Sequence, residues 1–340
     1  MSTDSEENIF SLKILQKDFH KYKLLIPLLH IHDIPKELYL KAESEEILNN
    51  FLEKKLLNKD QKLREYKVLT IVGSRKNSSY GKDCLEYFLR ELKDYPIIIV
   101  SGLALGIDTL AHKNAMTNYL PTIAIPGSGL DEKFLYPAAN VDLMQNIYET
   151  NNLMLSEWED ETKSELYFFP KRNRIMAALS DAILIAEAGE KSGTLITARL
   201  GMEYGKNVGV FPNNIFAEAS LGSNELIKNG ASPITKVEDV LEILKITPSG
   251  QQENIFSHIG DDIDENKKIN KIVLENLNIS DHEKIILEII LQEGNLEKDI
   301  LLDKLEKENN LSYTESLVAL MQLEINGLIK EELGEVRIRK

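Results

Sequence analysis

The chain has 340 residues, 43% hydrophobic and 28% charged, a globular composition that excludes disorder over most of its length. Forty basic and 55 acidic residues leave a formal charge of −15; a single cysteine excludes an intramolecular disulfide or a cysteine-built zinc site, and six histidines without metal-ligand spacing predict no metal. No run approaches the roughly 20 apolar residues of a membrane span, and the first residues lack the basic-then-apolar order of a secretory signal, so a cytoplasmic protein with no membrane partner is expected.

Residues 1–65 read as a helix-rich remnant with one extended segment at Glu37-Leu38-Tyr39-Leu40, too short for a large core of its own. From 66 to 246 one pattern repeats: a short β-branched run, a turn of small residues, then a helical stretch, which is how parallel βαβ units read. The run 68–72 ends in Gly73-Ser74-Arg75 and precedes a helix over about 81–93. The run 97–100 leads to Ser101-Gly102-Leu103-Ala104-Leu105-Gly106-Ile107-Asp108, and 122–125 leads to Gly127-Ser128-Gly129. A weaker strand falls at 154–156. The run 182–186 continues through Glu187-Ala188-Gly189 into Ser192-Gly193-Thr194 and another helix, and 208–211 closes the series at Pro212. The pattern predicts an α/β fold: a Rossmann-like open, mostly parallel sheet with helices on both faces, its glycines gathered on the edge where such sheets bind ligands.

Residues 247–278 are rich in Gln, Asn and Asp, lack apolar periodicity and read as a polar linker. Over 279–340, helical stretches at about 281–292, 298–309 and 313–326 precede strand-like segments at 328–331 and 335–338 that meet at Gly334. That is the order of a small winged-helix-like domain.

The charge is uneven, with nets of −1 over 1–65, −5 over 66–246 and −9 over 247–340, so a local basic site in the middle survives the acidic total. Glycine turns at strand ends let backbone N–H groups approach an anion, and a following helix adds its positive end. Taken singly, each turn is better explained by tight geometry alone. No GxGxxG precedes the first helix and no GxxxxGKS/T occurs, so a phosphate-bearing ligand is expected and a standard nucleotide cofactor is not.

Arg75 follows the first glycine turn, where its guanidinium could fork a phosphate or sit in a surface salt bridge. Phe168-Phe169-Pro170-Lys171-Arg172-Asn173-Arg174 sets three cations at a helix start, where they oppose the dipole; an external anion or a carboxylate such as Glu157 would resolve the conflict. The two phenylalanines read as a buried pair or as faces for base stacking. Lys191 precedes the hydroxyl-rich Ser192-Gly193-Thr194, with Arg199 two turns on. Asp108 and His112, at i and i+4, read as a cap or hydrogen bond rather than a catalytic dyad, because no nucleophile accompanies them.

Together with Ala111-His112, Leu130-Asp131, Tyr136-Pro137, Asn140, Ser156-Glu157, Asn224-Glu225-Leu226-Ile227 and Gly230-Ala231, these motifs resemble the DNA-processing protein A (DprA or Smf) family in order and spacing over about 180 residues. The resemblance implies a bacterial cytoplasmic homodimer that binds single-stranded DNA without sequence preference. It also implies protection of that strand and loading of the RecA recombinase onto it during natural transformation, a binding role rather than catalysis. Residues expected to contact DNA are Gly73, Ser74, Arg75, Ser101, Gly102, Lys171, Arg172, Asn173, Arg174, Lys191, Ser192, Gly193 and Thr194. Two positions depart from the family pattern, since Leu105 and Ala138 are apolar where members carry basic residues, and the helical domain that usually precedes 33–40 is reduced. Two alternatives remain in view. In a nucleoside-monophosphate phosphoribohydrolase a glutamate would stand where this chain has Thr197. A recombination scaffold with weak DNA affinity would suit the negative charge.

The C-terminal charges generate a first prediction. In a DNA-reading winged helix the third helix meets phosphates with Lys and Arg, yet residues 313–324 contain neither. The region 279–340 is therefore expected to be a protein-interaction or regulatory module. Chains truncated near Lys245 should keep most affinity for single-stranded DNA in a mobility shift, and the isolated C-terminal region should show none; the reverse outcome would overturn the electrostatic argument.

Overall fold

Runs such as Ile97-Ile98-Ile99-Val100, apolar at every position, make stable strands only where both faces of a sheet are covered. The computed structural model describes residues 9–57, 63–247, 280–293, 296–309, 311–326, 328–332 and 335–338, and its contacts divide the chain into units Met1–Ile246 and Thr247–Lys340. Apart from Thr247, the segment read as a polar linker lies outside the described residues.

In the first unit the order is β1 (Phe10–Leu15), β2 (Glu37–Ala42), α1 (Glu45–Leu52), β3 (Lys55–Leu57), β4 (Leu63–Glu65), β5 (Lys67–Val72), α2 (Ser79–Glu91), β6 (Ile97–Ser101) and α3 (Ile107–Thr117). It continues with β7 (Thr122–Ala124), α4 (Val141–Glu149), β8 (Leu153–Ser156), α5 (Phe168–Leu179), β9 (Ala182–Ile185), α6 (Thr194–Glu203), β10 (Asn207–Val210), α7 (Leu221–Lys228), β11 (Ser232–Pro233) and α8 (Val237–Leu244). Nine strands form one sheet in the order β1-β2-β8-β7-β6-β5-β9-β10-β11, parallel from β8 to β11. This is the Rossmann-like, mostly parallel sheet that the apolar runs predict.

Alternation along each strand sends its side chains to opposite faces. Val68, Ile98, Val100, Ile183 and Ile185 join a core with Ile175, Leu179 and Ala198 of α5 and α6. Leu69, Ile71, Ile97, Ile99 and Leu184 join the other, with Leu85 and Leu89 of α2, Ile107 and Ala111 of α3, and Leu241 of α8. Each fully buried Leu, Ile or Val contributes about 1.5–3 kcal/mol. The chain leaves β5 for β6 on one side and reaches β9 on the other, so a crevice opens at the carboxyl ends of β5, β6 and β9.

The N-terminal residues depart from the helix-rich expectation. Among the described residues they contribute helix α1, 3-10 turns at Gln16–Lys21 and Ile26–His30, the small β3–β4 hairpin, and two strands that extend the main sheet. β1 pairs antiparallel with β2, and β2 with β8 through Tyr39↔Ser156, Leu40↔Leu155 and Lys41↔Met154. The reason is a two-residue period: Leu38, Leu40 and Ala42 are buried while Glu37, Tyr39 and Lys41 are half-exposed. Phe19, Leu24, Leu28, Phe51 and Leu52 join the same core as α5 and α6.

The second unit contains α9 (Asp281–Glu293), β12 (Leu296–Glu297), α10 (Lys298–Asn309), α11 (Tyr313–Ile325), β13 (Ile329–Glu332) and β14 (Glu335–Ile338). Its strands form an antiparallel sheet in the order β12-β14-β13 over a core of Ile286, Ile290, Leu301, Leu305, Leu323 and Val336. The three helices and terminal hairpin fall where expected, and β12 adds a two-residue edge too short to carry a sequence signal. Among the described residues no helix is long and apolar enough to cross a membrane.

Because Phe19 is fully buried in the shared core, Phe19→Ala should lower the unfolding free energy of this unit by about 3–5 kcal/mol. Chemical denaturation measures it, and a loss below about 1 kcal/mol would mean that the N-terminal segment is a separable appendage.

Candidate nucleic-acid interface

The crevice at the strand ends is a cleft of about 520 Å³. Three stretches line it: 72–76 at the end of β5, Phe169, Pro170, Arg172 and Asn173 at the start of α5, and Gly189 with 191–194 leading into α6. The first carries its cations outward. Ser74 O accepts from the Ile107 N–H at 3.1 Å, and Ser74 Oγ accepts from the Lys76 N–H at 3.1 Å. Between these bonds Arg75 and Lys76 are exposed, and neither has a carboxylate partner among the described residues. Gly106 makes this packing possible: its φ is +79°, and a Cβ there would lie 2.3 Å from Ser74 O. The Arg75 guanidinium lies 5.2 Å from the Phe169 ring centroid, and Phe169 meets Tyr136 edge-on at 5.4 Å. The two phenylalanines therefore separate: Phe168 is buried and stacked on Trp158 at 4.2 Å, whereas Phe169 is half-buried at the cleft.

The basic cluster at the start of α5 separates too. Arg172 lines the cleft but is only 4% exposed; its Nη1 donates to Gly102 O at 2.6 Å and to Ile125 O, and its Nε donates to Asn173 Oδ1 at 3.2 Å. Gly102 leaves room for this seat, since a Cβ there would push the Arg172 guanidinium from its place. Arg174 turns away from the cleft. Its Nη2 lies 2.6 Å from Glu157 Oε1 and its Nε 2.8 Å from Asp33 Oδ2, with Arg174 and Glu157 both largely buried. Lys171 is partly exposed, its Nζ 3.3 Å from the same Glu157 oxygen, and it does not line the cleft. The clash of cations with the α5 dipole is thus resolved inside the protein, by Glu157 and Asp33, and Arg174, expected among the DNA contacts, does not line the cleft. Asn173 remains at the cleft.

Ser101 is fully buried and its Oγ donates to Ile71 O at 2.7 Å, joining two strand ends rather than facing a ligand. Lys191 is exposed, Ser192 Oγ accepts from the Thr194 N–H at 3.2 Å, and Gly193 has open space around it, so α6 starts at the cleft wall with its positive end toward the cavity. Gly73, Ser74, Arg75, Arg172, Asn173, Lys191, Ser192, Gly193 and Thr194 all line this one cleft; Ser101, Gly102, Lys171 and Arg174 do not. Lys76 was not among the expected contacts, although its place next to Arg75 in the same turn signals it. Leu105 and Ala138, both exposed, stand outside the cleft lining.

Asp108 is a cleft residue buried beside Arg172; burial pushes its carboxyl up to about 6 although the Arg172 charge and the Ala104 N–H draw it down. Burial likewise lowers Arg172 to about 10, still charged at neutral pH. His112 does not complete a dyad: its Nδ1 lies 2.8 Å from Thr122 Oγ1, and burial holds the ring neutral, pushed down to about 3.

Residues 58–245 match the family model for DNA recombination-mediator protein A. The chain belongs to this family. Among DprA and Smf relatives, the DNA processing protein DprA of Streptococcus pneumoniae is 40% identical over 179 residues, covering 53% of this chain and 62% of that protein. Protein Smf of Escherichia coli is 36% identical over 193 residues, covering 56% and 51%. The chain thus spans about half to two thirds of the curated relatives it matches. The crystal structure of the S. pneumoniae DprA superposes with a TM-score of 0.57 at 34% identity, over 68% of this chain and 73% of that one. DNA processing protein A of Helicobacter pylori, solved to explain its single-stranded DNA binding mode, superposes with a TM-score of 0.55 at 30% identity, over 70% and 96%. The family resemblance of the motifs is therefore borne out, and the DprA core places the cleft on the edge where its glycine turns gather.

Arg174, at the start of α5, should respond differently from Arg75. Arg174→Ala leaves the buried Glu157 with only the partly exposed Lys171 for a partner and should cost about 2–3 kcal/mol of stability, whereas Arg75→Ala, at an exposed site, should cost less than about 1 kcal/mol. Thermal and chemical unfolding of the two variants distinguishes them; equal losses would contradict the assignment of Arg174 to an internal ion pair.

Proposed function

We propose that the cleft binds single-stranded DNA through its phosphates, without reading sequence. The observation that carries this reading is the local charge. Among the described residues lining the cleft are four cations, Arg75, Lys76, Arg172 and Lys191, against the single carboxylate of Asp108, in a chain whose total is −15. Three of those cations are exposed, and the positive end of α6 adds to them. Gly73, Ser74, Ser192, Gly193 and Thr194 contribute backbone and hydroxyl donors, which suit a phosphodiester more than a base edge. Phe169 and Tyr136 offer ring faces beside Arg75 on which an unpaired base stacks, an interaction closed to a paired one.

From membership of the recombination-mediator family and the single-stranded DNA mode of the H. pylori relative, we extend the proposal. The protein acts as a cytoplasmic homodimer, shields the strand, and passes it to the RecA recombinase during natural transformation. The role is one of binding, without turnover. A buried Thr197 lines the cleft where the hydrolase alternative requires a glutamate.

The test is a titration of fluorescent oligothymidylate and of duplex of equal length across a range of salt. Single strands should bind more tightly, with log K falling by about 0.7 per phosphate contact for each tenfold rise in salt. Arg75→Ala and Lys76→Ala should each reduce that slope by about 0.7. Equal affinity for duplex, or an unchanged slope in both variants, would overturn the proposal.

A further inference from the structure

The loop that carries Arg75 and Lys76 is fastened at both ends. At its start Ser74 O accepts from the Ile107 N–H. At its end the Ser78 N–H donates to Glu187 Oε2 at 2.8 Å. Glu187 is 1% exposed, stands two residues beyond β9, and is not part of the cleft lining. Its own backbone is held in turn: the neighbouring Ala188 donates its N–H to Ser223 Oγ at 2.8 Å, and Ala188 O accepts from the Ser223 N–H at 3.0 Å. Ser78 is also the N-cap of α2, its Oγ accepting from the Gly81 N–H at 3.1 Å. One carboxylate therefore joins the first turn of α2, the end of the cation-bearing loop and the root of the 189–193 wall.

We propose that Glu187 is a positioning residue for DNA binding: it pins the Ser78 end of the loop so that Arg75 and Lys76 face the cleft. The inference rests on the single-stranded DNA reading of that cleft. A buried acid near a phosphate site opposes the ligand by simple charge, so its value must lie in geometry. A carboxylate accepting a backbone N–H at a helix start makes a bond about twice as strong as a neutral one and satisfies a donor that the helix itself leaves unpaired. Without it the loop keeps its anchor at Ser74 and loses the other. The cations then sample many positions, and each phosphate contact must order them anew.

The experiment uses the full chain and a fluorescent oligothymidylate, with amide hydrogen exchange of the DNA-free protein as a second readout. Glu187→Gln keeps an acceptor of the same shape, so it should bind within about threefold of the parent and retain protection of the Ser78 amide. Glu187→Ala should bind about tenfold more weakly, with a shallower salt slope, and exchange the Ser78 amide at least tenfold faster at temperatures where it remains folded. If both variants bind more tightly, Glu187 acts only as a repelling charge and the proposal fails. If Glu187→Ala loosens the amide yet binds as the parent does, the contact is purely structural and the proposal fails. Should Glu187→Ala not fold, Ser78→Pro removes the N–H at a residue whose φ of −76° suits proline, and Ser78→Ala removes the hydroxyl alone. Weaker binding in the former than in the latter supports the proposal, and equal binding overturns it. A parent protein that binds no single-stranded DNA refutes the reading of the cleft, and the exchange data then decide separately whether Glu187 orders the loop.

Discussion

A charged guanidinium buried beneath the strand ends is costly unless all of its surroundings are built for it, and Arg172 is held by carbonyls that the parallel sheet supplies. Gly102 O and Ile125 O belong to the segments leaving β6 and β7, so one side chain from α5 ties two strand ends to the helix that crosses behind them. Asp108 provides the nearby negative charge, and Gly102 the space. Much follows from this arrangement. It fixes the start of α5, which brings Phe169 and Asn173 to the cleft, and it holds the 102–106 turn, on which the loop bearing Arg75 rests. Removing one member of such a buried set costs far more than the intact set contributes.

The same helix start shows how an acidic protein presents a basic cleft. Of the cations on the sheet's binding edge, Arg172 and Arg174 are committed to internal partners and Lys171 leans on Glu157. Arg75, Lys76 and Lys191 remain exposed. In the proposed reading phosphate affinity would rest on this second group, because a guanidinium already satisfied by a carboxylate or by carbonyls has little to offer a ligand. Net charge is silent on the division.

The second unit follows a different logic. Its third helix, α11, begins with a reciprocal Ser312 and Glu315 capping box and exposes Val318 and Met321. That helix carries no cation.

The parallel sheet was legible in the chain because strands buried on both faces must be apolar at consecutive positions, as at 97–100 and 182–186. Some of the glycine turns were legible because Gly106 and Gly129 lie against other backbone, where no Cβ fits. The N-terminal strands were less so: 37–42 alternates between buried and exposed residues over a single short stretch, and its partner β1 is chosen by pairing in space. Which cations stay free was legible only in part: Glu157 is a candidate partner for the α5 cluster in the sequence, but which cations it takes is not. Arg174 finds Asp33 from the N-terminal segment and Glu157 from the end of β8, and Glu187 finds Ser78 from the end of the adjacent strand. Local patterning encodes secondary structure and burial because these depend on neighbours along the chain. Ion pairing and desolvation depend on distance through space, and that distance exists only once the sheet has brought its strand ends together.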